Sequence, residues 1–371
     1  MMSFEIDTRV LKNAVQLTSN AVSRKTANPI LKGIKLAVED DELHIYATDL
    51  QTGFHKWLKV KDSDENFSTV VEQTIFLEIL SNLTSDTITI TLDGVLKISG
   101  GNSVFRLPTM DPDEFPSLAF EVTGNSILLD RTIITNMIDK VVFCALKDSS
   151  SLSRNLNAVY WDFRQGGFLN LVATDSYRLA LSESKLEDDN ILSPFLLSLK
   201  SMDELKTILS SAKTEKVRVV QSGSQILFDF EEDNNQLIYN VIDAEFPNYL
   251  SIIPESFITK IKAKTSEFLA IMKRMSITAG SEEYTLLNIE DGRIQFYASS
   301  PDVGEAKEEI DVEQEGKNIE IAYSPRYFRE ALERIETVEF EFDISDEEKP
   351  TILKPLEDNS YMFIIMPKRK S

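Results

Sequence analysis

The sequence predicts an α+β fold of three tandem copies of one module, each with two helices on a largely antiparallel sheet. Three observations predict it. Ala-Thr-Asp occurs at Ala47 and Ala173, and the related Ala-Ser-Ser occurs at Ala298, at intervals of 126 and 125 residues. A chain of 371 residues divides into three domains of ordinary size. The same order of helix and strand patterns also surrounds each phrase. We expect the domains at 1–123, 124–254 and 255–371.

Each copy opens with an amphipathic helix. In the first copy, apolar residues recur at spacings of three and four, as at Val10, Ala14 and Leu17. This spacing is typical of a helix with one buried stripe. The second and third copies repeat the pattern from Arg131 and from Ser266.

A pair of strands follows each opening helix. Alternating apolar residues lead into the repeated phrase at 33–49, 156–175 and 284–300, and this period of two is typical of half-buried strands. In the third pair, Asp291-Gly292 predicts a tight hairpin turn between the strands.

A second, shorter helix comes next, at 74–83, 201–211 and 324–335. Ser201 and Ser324 are suited to N-cap positions. Pro325 suits the first helical position, because a proline there loses no helical hydrogen bond.

Alternating strands return after the second helix, and each copy closes with an apolar residue before a proline, at Pro116, Pro247 and Pro367. Unpaired strands at the ends of each module would favour aggregation. Tandem copies can avoid this by pairing edge to edge, and units joined in this way tend toward closure. We therefore expect a closed ring, and the distribution of charge described next favours helices inside and sheets outside.

Charge is distributed unevenly between helices and sheets. Six helix windows (8–22, 76–83, 130–147, 201–214, 264–280 and 325–335) carry +5 together, which leaves −27 for the rest of a chain whose total is −22. Solvation of exposed helix faces is one explanation. Glu is also a good helix former, however, so propensity alone predicts acidic helices in this Glu-rich chain. If the helices line a ring, a DNA duplex would meet their cations, and the acidic rim would lie roughly 20 Å away, beyond the screening length of about 8 Å.

Composition excludes several classes of protein. No apolar run approaches the length of a membrane span, and the N-terminus lacks the layout of a signal peptide, so we expect a cytoplasmic protein. The single cysteine, Cys144, cannot form an internal disulfide and lies in an apolar run typical of buried packing.

Three segments, "VATDSYRLALSES" at 172–184, "DAEFPNYLSIIP" at 243–254 and the ending "MPKRKS", resemble the bacterial DNA sliding clamp, the β subunit of the replicative DNA polymerase III. The resemblance covers the whole chain. It implies that two chains close head to tail into a ring of six domains around double-stranded DNA, with no catalysis, metal or cofactor. It also implies that a clamp loader opens the ring and that polymerase subunits and repair proteins dock on its surface.

In that family, partners insert a short apolar peptide into a cleft between the second and third domains. Carried over by position, the cleft residues from the second domain are Leu156, Thr174, Ser176, Tyr177, Arg178, Leu179, Pro247 and Ile252. Those from the third domain are Ser324, Tyr327, Ile364, Ile365, Met366, Pro367, Lys368 and Arg369. Such a pocket buries apolar anchors and fixes their direction with a hydroxyl and an arginine rim.

Two positions depart from the family pattern. Lys368 stands where an apolar residue is common and is followed by Lys370 and Ser371, and Tyr177 stands where histidine is frequent. For Asp175 we favour a turn-forming role, because the same phrase occurs in the first copy, where no cleft is expected. For Arg178 and Leu179, which the first copy lacks, we favour binding.

DNA contacts and the subunit junction complete the expected sites. Basic residues on helices and adjoining loops could contact phosphates or be solvated surface charges: Arg24, Lys25, Lys140, Lys147, Lys206 and Lys273. For the junction, the resemblance points to Phe105 and Leu107 of one chain meeting Ile277 of the other, although core packing is the alternative.

An enzyme and a peptide-binding scaffold are the competing classes. The chain has only two histidines, His44 and His55, and no metal-ligand spacing, phosphate loop or nucleophile elbow. Asp175 and Glu183 could act as paired carboxylates, but such coincidences are common in so acidic a chain. A scaffold that never encircles DNA would keep the cleft without the ring.

Overall fold

The computed structural model describes residues 2–23, 25–63, 65–118, 120, 122–147, 153–187, 191–279 and 284–369. Within them, one order of elements occurs three times: a strand, a helix, four strands, a second helix and three strands. The third copy has one additional short strand before its second helix. The predicted modular α+β organisation is therefore confirmed.

The first copy comprises β1 (Met2–Asp7), α1 (Thr8–Leu17), β2 (Gly33–Glu39), β3 (Glu42–Thr48), β4 (Thr52–Lys59), β5 (Phe67–Glu72), α2 (Gln73–Asn82), β6 (Thr87–Leu92), β7 (Leu96–Gly100) and β8 (Ser103–Leu107). The second comprises β9 (Asn125–Asp130), α3 (Arg131–Val141), β10 (Ala158–Arg164), β11 (Phe168–Thr174), β12 (Arg178–Lys185), β13 (Phe195–Ser198), α4 (Leu199–Ser211), β14 (Lys216–Ser222), β15 (Gln225–Phe230) and β16 (Asn235–Asn240). The third comprises β17 (Thr259–Lys264), α5 (Thr265–Thr278), β18 (Thr285–Glu290), β19 (Arg293–Ser300), β20 (Gly304–Asp311), β21 (Glu313–Gly316), β22 (Ile319–Tyr323), α6 (Pro325–Leu332), β23 (Glu339–Ile344), β24 (Thr351–Pro355) and β25 (Tyr361–Ile365).

Side-chain oxygens satisfy the first amides of several helices. The Asp7 carboxylate accepts from the first turn of α1, and the Asp130 carboxylate accepts hydrogen bonds of 2.8 and 3.0 Å from the first turn of α3. Ser324 occupies the N-cap position of α6, as expected, but its side chain makes no capping hydrogen bond; Pro325 opens the helix, as expected. Ser201 is not an N-cap, because α4 begins at Leu199 and the hydroxyl of Ser198 accepts from the Ser201 amide at 3.0 Å.

The glycine turns differ in length. Asp291 and Gly292, with φ of 50° and 81°, form the predicted two-residue turn between β18 and β19. An Asp-Gly pair also predicts a two-residue turn at Asp93-Gly94, but the turn there has three residues, and the Asp93 amide donates to the Val95 carbonyl at 3.1 Å.

The described residues of 1–134, 190–192 and 203–241 form one compact unit. It contains a four-stranded sheet of order β1-β6-β7-β8 and an eight-stranded sheet of order β5-β2-β3-β4-β16-β15-β14-β9. The larger sheet joins the first and second copies through the antiparallel pairing of β4 with β16. Two copies therefore pair edge to edge.

The described residues of 135–189, 193–202 and 242–371 form the second unit. Its nine-stranded sheet has the order β13-β10-β11-β12-β25-β24-β23-β17-β21, and its four-stranded sheet has the order β20-β19-β18-β22. Here the pairing of β12 with β25 joins the second and third copies. The same edge-to-edge pairing thus occurs twice.

Each helix buries one apolar stripe against a sheet. In the third copy, Phe268 of α5 lies among Phe296, Phe328 and Phe340, at ring-centroid distances of 5.2 to 5.6 Å. Cys144 is 1% exposed, as expected from its apolar surroundings. In the part of the chain that the structure describes, helices with the length and hydropathy of a membrane span are absent.

Candidate functional site

The repeated phrase in the second copy forms a tight turn between β11 and β12. One Asp175 carboxylate oxygen accepts from the amides of Tyr177 and Arg178, both at 3.0 Å. The Thr174 hydroxyl donates to the Arg178 carbonyl at 2.6 Å and accepts from the Ser176 amide at 3.1 Å. Ser176 has a positive φ of 76°. Asp175 therefore holds the turn, as expected.

The first copy contains the same turn. The Asp49 carboxylate accepts from the amides of Gln51 and Thr52 at 3.0 and 2.8 Å, and the Thr48 hydroxyl donates to the Thr52 carbonyl at 2.7 Å. Leu50 has a positive φ of 73°. The phrase thus encodes a local Asx-type turn. The residues after the aspartate differ between the copies, and the next strand begins with Thr52 in β4 and with Arg178 in β12.

Arg178 is 7% exposed, and its guanidinium is held on several sides. Nε donates to Asp175 at 3.0 Å, one terminal nitrogen donates to the Phe143 carbonyl at 2.9 Å, and the other forms a salt bridge with Glu330 of α6. The charge also lies 4.6 Å from the centroid of the Tyr327 ring. Since these groups occupy its donors, Arg178 fixes the turn against α6.

An apolar cluster lies beside this turn. Leu179 and Ile364 are 2% and 1% exposed, and Val172, Leu181, Tyr249 and Ile352 complete the buried set. Ile252 packs against the cluster and remains partly exposed. Pairing of Leu179 with Ile364 across β12 and β25 brings the second and third copies together at this point.

The C-terminal segment after β25 continues along the turn. The Met366 amide donates to the Tyr177 carbonyl at 2.9 Å, and the Lys368 amide donates to the Ala322 carbonyl at 2.8 Å. Tyr177 itself is 61% exposed. The tail therefore bridges the β11–β12 turn and β22, the strand that precedes α6.

The expected cleft residues fall into two groups, all in the second unit. Buried members are Thr174, Arg178, Leu179, Ser324, Tyr327, Ile364 and Ile365. Exposed or half-buried members are Leu156, Ser176, Tyr177, Pro247, Ile252, Met366, Pro367, Lys368 and Arg369. The segments of Leu156 and Pro247 are neighbours, because the Asn155 amide nitrogen donates to the Glu245 carbonyl at 2.9 Å.

Arg326 is an additional residue beside this site. Its guanidinium carbon lies 5.0 Å from the centroid of the Tyr327 ring, on which Arg178 also packs. The sequence offered a signal for it, because Arg326 directly precedes Tyr327 in the first turn of α6. Burial raises the pKa of Tyr327, and the nearby Asp175 carboxylate adds to that effect.

The carboxylates considered for catalysis are separated. The Asp175 carboxylate accepts hydrogen bonds within the turn and forms a salt bridge with Arg178, whereas Glu183 lies toward the other end of β12. Glu183 is thus five residues beyond Arg178 in an extended strand, roughly 17 Å along the chain. The two do not form a pair.

The basic residues expected at DNA differ in exposure. Lys140 does not fit the expectation of an exposed cation at DNA, because it is 8% exposed. Its ammonium donates to the Arg334 carbonyl and to Glu336, and it lies 4.4 Å from the centroid of the Tyr361 ring. Lys140 is thus committed to the fold. Lys25 and Lys147 are exposed, Lys206 is half-buried, and Lys273 is exposed and 3.5 Å from Glu333. Arg24 lies outside the described residues.

The residues expected at the subunit junction also divide. Phe105 of β8 is 37% exposed and Ile277 of α5 is 69% exposed, so both have apolar surface that a partner could cover. Leu107 is 8% exposed and pairs with Leu96 of β7, so it already packs within its own unit.

Comparison with known proteins gives matches over nearly the whole chain. Three family models match in order: the DNA polymerase III beta subunit N-terminal domain at 2–119, its central domain at 128–248 and its C-terminal domain at 250–369. The curated beta sliding clamp of Bacillus subtilis is 29% identical over 99% of this chain and 100% of its own length.

Two solved structures resemble the chain over its full length. The beta subunit of DNA polymerase III from Thermotoga maritima has a TM-score of 0.92 and 33% identity, with 100% of both chains covered. The DNA polymerase sliding clamp from Bacillus subtilis has a TM-score of 0.93 and 27% identity, again with 100% of both chains covered. The chain therefore belongs to the DNA polymerase III beta subunit family, the family of the bacterial beta sliding clamps.

Proposed function

We propose that this chain is a processivity factor for DNA replication that encircles double-stranded DNA as a homodimeric ring, slides without sequence specificity and tethers its partners. As a member of a non-enzymatic family, it acts by holding rather than by turnover. The proposal places it in the cytoplasm, associated with the nucleoid and without a cofactor. One observation supports the ring. The two junctions within the chain pair equivalent strands, and the two remaining strands of the same kinds, β20 and β8, are edge strands in their sheets.

The strand equivalences support closure by a second copy. The third strand of the four between the helices pairs with the last strand of the next copy, as β4 with β16 and β12 with β25. Each junction contains five residue pairs. The remaining counterparts are β20 of the third copy and β8 of the first, which are edge strands in their sheets. β8 has five residues, enough for an equal junction with a partner's β20.

Side chains around these two edges support the same pairing. β20 carries four carboxylates and one lysine, whereas β8 carries Arg106 and no acid. Arg274 of α5 forms a salt bridge with Glu308 of β20, so Ile277, one turn further along α5, lies near that edge. Phe105 of one chain and Ile277 of the other would then cover each other's exposed apolar surface.

The domain boundaries remain a proposal at 1–123, 124–254 and 255–371. They are supported by the family models, whose matched spans end or begin within a few residues of each boundary. Each boundary also lies between the last strand of one copy and the first strand of the next.

DNA is proposed to pass through the ring and to meet the helices. The helix windows carry +5 against −27 elsewhere. Weak phosphate contacts without base recognition permit sliding, and their strength falls with salt. Five of the expected cations remain proposed DNA contacts: Arg24, Lys25, Lys147, Lys206 and Lys273. The buried Lys140 is not proposed as a DNA contact.

Polymerase subunits, the clamp loader and repair proteins are proposed to dock through short apolar motifs in the cleft beside the β11–β12 turn. The half-buried Ile252, Pro247, Met366 and Pro367 offer apolar surface next to a rigid cluster. A rigid wall of this kind binds anchors without first having to be ordered. Met366 can adapt to anchors of different shape.

Mass measurement and DNA retention test the ring. Sedimentation should give about 84 kDa, twice the 42.0 kDa of one chain. Ile277→Asp should give a monomer, and Val338→Asp, at a side chain that is 82% exposed, is the matched control that should remain dimeric. After loading, the wild type should persist on nicked circular DNA and slip off linear DNA. Equal loss from both DNAs, or a monomeric wild type at micromolar concentration, would refute the ring.

A further inference from the structure

Three cations lie along one side of the proposed cleft, and we call Arg326, Lys368 and Arg369 the basic rim. Arg326 and Arg369 are exposed, and Lys368 is half-buried. The bond from the Lys368 amide to the Ala322 carbonyl places the tail beside β22, four residues before Arg326. The tail that carries Lys368 and Arg369 thus runs beside the strand that leads into α6, where Arg326 packs on Tyr327.

These cations contrast with the other arginines of α6 and its neighbourhood. Arg178 and Arg329 both form ion pairs with Glu330. Within the described part of the chain, the three rim side chains make no ion pair closer than 4.0 Å to a carboxylate. The basic rim therefore presents charge to solvent at the margin of an apolar surface.

Charge of the other sign lies on the segment that carries Pro247. Asp243 and Glu245 are exposed there, and no basic residue occurs between 243 and 254. An extended peptide in the cleft would contact the basic rim over one part of its length and an acidic segment near Pro247. Its own charges would then decide both its affinity and its direction.

Resting on the proposed function of the cleft, we propose that it selects apolar peptides carrying carboxylates at the end that meets the tail. The rim supplies one guanidinium at Arg326, a second at Arg369 and an ammonium at Lys368, and a guanidinium can bind a carboxylate through two hydrogen bonds.

The expected difference in affinity between acidic and neutral peptides follows from the solvent exposure of the rim cations. Ion pairs at exposed positions contribute about 0.2 to 1 kcal/mol each, and 1.4 kcal/mol corresponds to a factor of ten in affinity. Two such pairs at the rim should make an acidic peptide bind about two- to thirtyfold tighter than a neutral one. Because the pairs are solvent-exposed, added salt should reduce the preference.

Fluorescence polarisation with labelled peptides tests this inference on the intact protein. All probes share a core of two leucines and one phenylalanine and differ only in a flank of two glutamates, two glutamines or two lysines, placed before or after the core. We expect the order glutamate, glutamine, lysine in affinity for one flank position, with the difference shrinking between 50 and 300 mM NaCl. Lys368→Met and Arg326→Gln should each reduce the ratio of the affinity for the glutamate probe to that for the glutamine probe.

Lys349→Met removes the same charge at an exposed loop position outside the basic rim and should preserve the preference. Equal affinities of the three probes at both flank positions would overturn the inference and leave the cleft intact. An unchanged preference in both rim variants would overturn the assignment to the rim. Failure of every probe to bind would instead refute the cleft, and the inference with it.

Discussion

Lowering the pH from 7 to 5.5 should weaken the β4–β16 junction through His55. This side chain is 9% exposed and lies between the rings of Tyr46 and Trp57, at centroid distances of 4.4 and 5.0 Å. Its Nδ1 is 3.1 Å from the Gln236 amide oxygen of β16, and its Nε2 is 3.0 Å from Nδ1 of His44. Neutral His55 can donate at Nδ1 and accept at Nε2, whereas its protonated form has no acceptor.

Burial lowers the pKa of His55 to about 4, and the neighbouring His44 adds to the shift. In the unfolded chain the pKa is about 6.5. The folded state thus binds the proton more weakly, so stability is unaffected above pH 6.5 and falls as the pH decreases toward 4. Linkage gives a loss of about 1.4 kcal/mol at pH 5.5 and about 3.4 kcal/mol in the limit below pH 4.

Urea denaturation at pH 7.5, 6.5 and 5.5 can measure this loss by Trp57 fluorescence in a Trp161→Phe background. This background leaves one tryptophan, beside His55. His55→Gln, which keeps a donor and an acceptor but does not titrate, is the matched comparison. The difference in unfolding free energy between the two proteins should change by about 1.4 kcal/mol from pH 7.5 to 5.5. Parallel pH dependence, or a His55 resonance that titrates near its ordinary pKa in NMR spectra, would refute the reasoning.

Three further outcomes are expected. Arg178→Met should lower the unfolding free energy of its unit by about 3 to 5 kcal/mol, because it leaves the carboxylates of Asp175 and Glu330 without their cation. A loss below about 1 kcal/mol in urea denaturation would contradict the burial of this ion-pair network. Removal of residues 366–371 should abolish binding of apolar peptides and leave the dimer mass unchanged, so retained peptide binding in polarisation assays would remove the tail from the cleft. Increasing urea should produce folded monomers before either within-chain junction opens, which sedimentation compared with fluorescence can detect; coincident transitions would count against it.

Much of the fold could be predicted from the sequence, because periodicity reports which face of an element is buried. The strand 42–48 alternates clearly, and the opening helix α1 shows a buried stripe. The strands that open each copy, such as β1, were harder to predict, because a helix follows them directly in the sequence. No turn residue marks the boundary between strand and helix. β4 has four successive buried residues and therefore shows little alternation.

The site was predicted less completely, since a sequence motif does not reveal the partners of a charge. For Arg178, binding of partners stays a prediction, and its contacts with Glu330 and the Phe143 carbonyl are long-range and have no local pattern. Lys140 looked like an exposed helix cation, yet its partner Glu336 lies far along the chain. Asp175 was interpreted correctly because its bonds are local and its turn occurs twice.

The two copies of the turn use one device to hold neighbouring modules together. The Thr52 hydroxyl, in the first residue of β4, donates to the Glu204 carboxylate of α4 at 3.0 Å. Arg178, the first residue of β12, forms its salt bridge with Glu330 of α6. Glu204 and Glu330 are each the sixth residue of the second helix in their copy. Each junction thus joins the start of an edge strand to the same helical position in the following module.

The junction proposed between chains has no side-chain donor at the start of its strand to bond to the helix glutamate. The first residue of β20 is Gly304, which has no side chain to donate, and its φ of 109° disfavours other residues there. The sixth residue of α2 is the exposed Glu78, the position that a partner's β20 would face in an equivalent junction. Backbone pairing would be equal in all three junctions, but only the two within-chain junctions add a bond from the turn to the helix. Since a buried charged hydrogen bond contributes more than a neutral one, the between-chain junction should separate first, with both chains still folded.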